Sequence, residues 1–212
     1  MKWLQKHRAR SMVVPGLEKH GAGSWLPEAE MPAALPIAQL VYPLRYDIVV
    51  RMRLFEAYAA ERERYRTDPA AFVELACDHD YHIWFERVMM VRRADYIAHH
   101  HLTPDDIFTD CVHQAAELYE SIVGSGFDAK RPIVPFTGRE ILPADSGAVS
   151  AEQYFPGDGC HRLACLMSLG HTTLPATFFR IKRFDRLQPF DNTRLLREHL
   201  DINWPDFAKW NS

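Results

Sequence analysis

Apolar residues in the middle of the chain recur at a spacing that predicts one long helix. Ile107, Cys111, Ala115, Leu118 and Ile122 fall on one helical face. The letters LTPDD before them place a threonine cap, a first-turn proline and two acids where a helix begins. The letters GSG after them end the helix, because glycine adopts the left-handed backbone of a helix C-terminus.

The pattern beyond this helix predicts strand, turn, helix and strand in that order. KRPIVPF has the composition of a short strand, and SAEQYFPGDG leads into a glycine-containing turn. CHRLACLMSLG predicts a helix that is closed by Gly170, and TLPATFFRIKRF predicts a second strand. A further helix is expected around residues 192–200. The segment 111–212 is therefore expected to be an α/β core with a C-terminal helix.

The N-terminal half gives a weaker pattern. Residues 1–38 are rich in proline and glycine and predict an irregular arm. Residues 39–110 predict a strand plus a helical extension, with β-branched and aromatic residues at Tyr46–Val50 as the strand. Two helices are expected after it, the second beginning at Pro69 with Asp68 as its cap.

Composition narrows the classes of function. The chain has 212 residues and a formal net charge of -3, so a nucleic-acid partner is not expected without a local basic patch, and only scattered arginines are present. No apolar run is long enough for a membrane span or a signal-peptide core, so we expect no membrane partner and a cytoplasmic location. The four cysteines form no CxxC pair and are expected to be free thiols. Nothing in the sequence predicts the oligomeric state.

The letters DGCHR, residues 158–162, are the strongest candidate for chemistry. A glycine turn followed by an apolar helix points unpaired N–H groups and the positive dipole end at the turn. Arg162 and His161 add donors suited to a phosphate. The alternative is that Asp158 caps the helix while His161 and Arg162 lie on its solvated face. We favour anion binding, because all these groups converge within one turn.

Two residues of this turn have competing roles. A helix N-terminus beside His161 and Arg162 favours a nucleophilic thiolate at Cys160, although a small residue filling the first turn is the simpler interpretation. Asp158 offers a second route, in which its carboxylate holds magnesium or accepts a hydroxyl proton from a substrate.

Other polar positions are candidates for substrate contact. Arg45 and Asp47 project from one face of the predicted strand, and an ion pair between them is the ordinary explanation. His82 is expected either to line a substrate pocket or to be a structural histidine. PFDNT, residues 189–193, is expected either to cap the following helix through Asp191 or Asn192, or to place Asn192 in a site.

The combination of SIVGSGFDAKRPIVPF, DGCHRLACLMSLG and TLPATFF resembles the core of the ParB/sulfiredoxin superfamily. The resemblance covers about residues 112–182 and rests mainly on the order of these motifs. It implies a small α/β fold with Gly159, His161 and Arg162 at the phosphates of a nucleotide. It also puts Cys160 where sulfiredoxins keep their reactive cysteine, and it makes Asp158 a feature shared with related free-amino-acid kinases. ParB proteins use CTP, so the nucleotide is left open between ATP and CTP.

The expected protein is thus a ParB/sulfiredoxin-like core with an N-terminal helical extension. The leading hypothesis is an ATP-dependent, Mg²⁺-assisted phosphotransferase that acts on a small hydroxylated molecule. The alternatives are sulfiredoxin-like thiol chemistry at Cys160 and a nucleotide-sensing module without turnover. The expected catalytic residues are Asp158, Cys160 and His161, and the expected metal ligand is Asp158. The nucleotide phosphates are expected to be bound by Gly159, His161 and Arg162. The substrate is expected to be bound by Arg45, Asp47, His82 and Asn192.

Overall fold

Helices and strands both build this chain, in agreement with the predicted α/β class. The computed structural model describes residues 19–20, 23–91, 97, 103–142 and 153–209. Its helices are α1 (Ala38–Val41), α2 (Tyr46–Ala60), α3 (Arg62–Thr67), α4 (Pro69–Cys77), α5 (Asp80–Trp84), α6 (Pro104–Ser125), α7 (Cys160–Ser168), α8 (Asn192–Leu196) and α9 (Trp204–Ala208). Its strands are β1 (Lys19–His20), β2 (Ser24–Trp25), β3 (Ala34–Pro36), β4 (Val134–Ile141), β5 (Phe155–Asp158), β6 (Thr173–Pro175) and β7 (Lys182–Leu187). A π-helical stretch, Phe85–Met90, continues α5.

The main sheet brings the two halves of the chain together. β4 runs parallel to β7 and antiparallel to β5, while β1 and β2 both pair antiparallel with β7. β3 pairs antiparallel with β6 in a second, two-stranded sheet. The prediction of an irregular arm over residues 1–38 is therefore wrong for the part that the structure describes, because three short strands there complete two sheets.

The strand predicted at Tyr46–Val50 is also wrong, because these residues form the first turns of α2. Ten of the fifteen residues of α2 are buried, and they lie on all sides of the helix. A helix surrounded by protein has no polar face, so its sequence shows no helical period. The β-branched residues Ile48, Val49 and Val50 then look like a strand although they are core residues of a helix.

The predicted helix caps are confirmed. The Thr103 hydroxyl accepts a hydrogen bond from the Asp106 amide at the start of α6, and Gly126 ends that helix with φ +77°. The Asp68 carboxylate accepts a hydrogen bond from the Ala71 amide at the start of α4. Such caps depend on neighbouring residues alone, which explains why the sequence predicts them well.

Two predicted segments near DGCHR have a different form. The glycine turn is shorter than expected, because Gly157 and Asp158 still belong to β5, which pairs Asp158 with Val134. TLPATFFRIKRF is not a single strand: β6 and β7 lie in different sheets and are separated by a 3₁₀ turn at Ala176–Phe178.

α2 is the central helix, and α7 packs directly on it. The apolar residues of α7, including Leu163 and Cys165, are fully buried in the same cluster as the apolar residues of α2. In the part of the chain that the structure describes, no helix is both long and apolar enough to cross a bilayer. The start of α7, at the end of β5, lies against the start of α2, where Arg45 contacts Cys160.

A substitution at Gly157 tests the close packing of β5 on β4. A Cβ at this position would overlap the Phe136 ring on β4, so Gly157→Ala should destabilise the protein by about 1–3 kcal/mol. Gly124→Ala is the matched control, because a Cβ added there would have no other atom within 4 Å, and it should leave stability unchanged or slightly raised. Urea unfolding of both variants measures the difference, and equal midpoints would contradict the packing.

Candidate functional site

The start of α7 depends on one glycine. Gly159 is the N-cap residue of α7 and has φ +81°, a left-handed conformation that other residues rarely adopt. Among the described residues, no side chain caps this helix. Asp158 instead accepts a hydrogen bond at Oδ1 from the Gly159 amide, 2.7 Å away, and its side chain is 67% exposed. The alternative in which Asp158 caps the helix is therefore not what the structure has.

The Arg162 guanidinium folds back over this glycine. A Cβ at Gly159 would lie 2.9 Å from Arg162 Nη2, so a larger residue there would require the guanidinium to shift. Arg162 Nη1 donates a hydrogen bond to the Arg131 carbonyl, and Nη2 lies 3.9 Å from Asp158 Oδ2. The side chain is 14% exposed, so Arg162 lies against the protein surface at the helix start and not on a solvated face.

Arg45, at the start of α2, connects three elements of the site. Its Nε and Nη2 donate to the two carboxylate oxygens of Asp47 at 2.8 and 3.0 Å, which confirms the predicted ion pair. Its Nη1 donates to the Pro156 carbonyl at 2.7 Å, and Nη2 also lies 3.3 Å from Cys160 Sγ. Burial lowers the pKa of Arg45, but Asp47 and then Cys160 raise it by more, so this guanidinium stays charged. The prediction that this pair projects from a strand face is wrong, because Arg45 and Asp47 lie at the start of α2 and both are buried.

A second buried arginine shares the same carboxylate. Arg51 Nη2 lies 3.0 Å from Asp47 Oδ2, and its guanidinium stacks 4.1 Å from the centre of the Trp84 ring. Neither Arg51 nor Trp84 is among the site residues that the sequence predicts. Asp47 and Arg51 are spaced i to i+4, so a prediction of helix for this segment would also have predicted their ion pair.

His161 contacts the N-terminal half through aromatic residues of α5. Its Nε2 lies 3.1 Å from the Tyr81 hydroxyl, and its ring is 5.5 Å from the Trp84 ring in an edge arrangement. Burial raises the pKa of Tyr81 well above its ordinary value, so the phenol stays protonated. Tyr81 and His161 are 80 positions apart in the chain, and no feature of the sequence predicts that they meet.

The other two predicted substrate residues, His82 and Asn192, lie on α5 and α8. The His82 ring packs edge-on against Phe108 of α6. Asn192 is fully buried at the start of α8, whose cap is Asp191, with its carboxylate accepting a hydrogen bond from the Arg194 amide. The capping interpretation of this segment is thereby confirmed for Asp191, while substrate contact by His82 or Asn192 stays a prediction.

The four cysteines are free thiols, as predicted. Burial raises the pKa of Cys165 to about 12, which makes this thiol unreactive. Cys160 is half-buried, and its sulfur lies 3.3 Å from Nη2 of the Arg45 guanidinium. Among the residues that the structure describes, no three His, Cys, Asp or Glu side chains converge to hold a metal ion.

A surface cavity of about 750 Å³ lies away from this cluster, at the other end of β5. It is lined by residues of β3, β4 and β7 and by Tyr154, and it includes none of residues 158–162. Arg183 on its wall already pairs with Glu30 at 3.0 Å. The candidate site is therefore the α7 start, where charged and polar groups from distant segments meet, and not this cavity.

Comparisons of the chain with protein-family models, with curated proteins and with solved structures find no match.

The shared carboxylate of Asp47 is testable by mutation. Asp47→Asn removes the anion that two buried guanidiniums share, so it should destabilise the protein by about 3–5 kcal/mol. Glu61→Gln breaks an exposed pair with Arg64 of similar length and should have a far smaller effect. Denaturant unfolding compares the two variants. Equal stability losses would show that the Asp47 pair behaves like a surface ion pair.

Proposed function

We propose that the chain binds the phosphates of a nucleotide, ATP or CTP, at the start of α7 and transfers a phosphoryl group to a small hydroxylated molecule. The observation that carries this proposal is the Arg162 guanidinium lying over Gly159 at the N-terminus of α7. The N-terminus of a helix carries partial positive charge, and the Arg162 guanidinium adds a full positive charge beside it. An anion bound between or beside these two positive groups would stabilise both. Asp158 Oδ2 lies 3.9 Å from Arg162 Nη2, and the Asp158 side chain is 67% exposed. A phosphate group would complement both positive features.

The order of elements is compatible with the ParB/sulfiredoxin-like core that we propose for this chain. α6 is followed by β4, β5, α7 and β6, and the backbone changes from strand to helix within the residues DGCHR. The motifs that carry the resemblance therefore fall on a helix, a strand, a strand–helix junction and a second strand. This arrangement supports nucleotide binding at Gly159, His161 and Arg162, the residues that the resemblance implies.

The proposed transfer needs a base near the phosphates. The acceptor hydroxyl oxygen forms a bond to the γ-phosphorus of the nucleotide, the bond to the bridging oxygen breaks, and the nucleoside diphosphate leaves. Asp158 is the exposed carboxylate of the DGCHR segment, and in this scheme it takes the hydroxyl proton. His161 and Arg162 hold the phosphate oxygens in place.

Asp158 is also suited to be a ligand of Mg²⁺. Mg²⁺ in nucleotide sites is held by one or two carboxylates, with phosphate and water supplying the other oxygens, so a site with a single carboxylate is suitable. The ion would neutralise phosphate charge when bound. Whether Asp158 serves as base or as ligand, its carboxylate charge is required.

Thiol chemistry at Cys160 is the second candidate, and one contact favours it. Arg45 Nη2 lies 3.3 Å from Cys160 Sγ, and a guanidinium beside a cysteine at a helix N-terminus is typical of nucleophilic thiols. Arg45 also holds the sulfur in a fixed position relative to β5 through Pro156. In the phosphotransferase, Cys160 would only fill space in the first turn of α7. The two candidate functions therefore differ in which residue is essential, Asp158 for phosphoryl transfer or Cys160 for thiol chemistry.

Nucleotide binding should depend on Arg162. Arg162→Ala should weaken binding of ATP or CTP by about 1.5–3 kcal/mol, because a hydrogen bond to a charged phosphate is lost. Isothermal titration calorimetry with each nucleotide, with and without Mg²⁺, measures the change. Arg64→Ala removes an exposed arginine of α3 and serves as the charge control. Wild-type affinity in the Arg162 variant would reject the phosphate role.

Paired variants at positions 158 and 160 separate the two chemistries. For a phosphotransferase, Asp158→Asn should lose about 100-fold or more in rate, since a positioned base or metal ligand is removed, whereas Cys160→Ser keeps most activity. For thiol chemistry the order reverses, because serine cannot replace a thiolate. The assay measures phosphoryl transfer to a panel of small alcohols and amino acids under reducing conditions. An inactive Cys160→Ser enzyme would overturn our assignment, and nucleotide binding without turnover would indicate a sensing module.

A further inference from the structure

The buried charge beneath the α7 start is not balanced by the residues that the structure describes around it. Arg45 and Arg51 are two guanidiniums that share the single carboxylate of Asp47. The Arg51 side chain is only 6% exposed, and that of Asp47 is fully buried. Removing a charge from water is costly unless an opposite charge accompanies it. The trio therefore carries an excess positive charge in a place where water cannot screen it well.

The two arginines differ in how their donors are used. All three nitrogens of Arg45 have acceptors, in Asp47, the Pro156 carbonyl and Cys160 Sγ. Arg51 uses Nη2 alone, while its buried Nε and Nη1 have no acceptor within the described residues. Buried donors in folded proteins are normally hydrogen-bonded, so each such exception calls for an explanation. The excess charge and the spare donors belong to the same side chain, Arg51.

Trp84 adds a third donor of the same kind. Its indole Nε1 is buried and has no acceptor in the described part of the chain, and its ring stacks on the Arg51 guanidinium at 4.1 Å. An indole N–H donates and cannot accept, so it does not satisfy Arg51. Two adjoining side chains thus present three donor nitrogens and one excess positive charge. Donors together with positive charge are the complement of an anion that accepts several hydrogen bonds, such as a carboxylate or a phosphate.

This donor pair lies next to the proposed phosphate site. The Trp84 ring is 5.5 Å from the ring of His161, which belongs to the first turn of α7. We propose that Arg51 and Trp84 form an anion subsite for the acceptor molecule, so that the phosphotransferase substrate is a hydroxylated acid bearing a carboxylate or phosphate group. The identity of the ligand as the acceptor rests on the proposed function, whereas the subsite itself rests on the three donors and the excess charge alone.

Arg51→Met separates binding from structural support. If Arg51 only stabilised the fold, its loss would lower the unfolding temperature. If it binds an anion, the ligand-free variant should unfold at the wild-type temperature or above, because Asp47 keeps its two contacts with Arg45 and the uncompensated charge is gone. Arg53→Met is the matched control, since it removes the same charge from the same helix but at a partly exposed position.

The binding test uses malonate and inorganic phosphate as probes on the full chain, with thermal shift as the readout. Wild type and Arg53→Met should both be stabilised by the anions. Arg51→Met should weaken the apparent malonate affinity by about 10- to 100-fold, the usual effect of losing a charged hydrogen bond. Trp84→Phe, which keeps an aromatic ring and removes the N–H donor, should weaken it by about 3- to 10-fold.

Thermal shift of the same variants with ATP distinguishes failure of the anion subsite from failure of the proposed function. Arg162→Ala should lose the response to ATP and keep the response to malonate, and Arg51→Met should do the opposite. A wild-type protein with no malonate or phosphate response would overturn the subsite, and so would unchanged malonate affinity in Arg51→Met. If Arg51→Met fails to fold, Trp84→Phe decides, because wild-type malonate affinity in that variant would equally overturn it. Phosphoryl transfer during prolonged incubation with ATP and a hydroxy acid such as glycerate then measures turnover separately from binding.

Discussion

The buried ion pair between Arg45 and Asp47 is the constraint on which the site depends. Its fork geometry is good, with both carboxylate oxygens at hydrogen-bond distance, and the remaining donors of Arg45 reach β5 and the first residue of α7. A buried charge pair stabilises a fold only when its further polar atoms are satisfied, and Arg45 meets that condition. The same set of hydrogen bonds that satisfies Arg45 therefore fixes the start of α2, the strand β5 and the sulfur of Cys160 relative to one another.

The charge of the site is opposite in sign to that of the chain. The formal net charge is -3, yet Arg45, Arg51 and Arg162 bring three guanidiniums to the α7 start. Two of the three are buried, so a nucleic-acid backbone passing over the surface would not reach them. A small anion that inserts a carboxylate or phosphate group is a better match for such a site. This arrangement supports the small-molecule and nucleotide ligands that we propose, without requiring an overall basic surface.

Local chemistry is what the sequence predicts well for this protein. The caps of α4 and α6 and the glycine that ends α6 depend on residues within one turn, and all are found as expected. Two kinds of error come from long-range packing. α2 is buried on all sides, so it lacks the polar face that identifies a helix, and β1 and β2 are two-residue strands that exist through pairing with the distant β7. Neither feature leaves a periodic signal in its own segment.

The same distinction explains why the sequence locates only part of the site. DGCHR is contiguous, and its residue types indicate chemistry without knowledge of the fold. Its partners are not contiguous: Tyr81 meets His161 across 80 positions, and Arg45 meets Cys160 across 115. The resemblance to the ParB/sulfiredoxin superfamily covers only about residues 112–182, so both of these partners lie outside it. The N-terminal half thus forms the inner wall of the site. In the proposed function, the C-terminal half holds the reacting phosphate, and selectivity for the acceptor comes from α2 and α5.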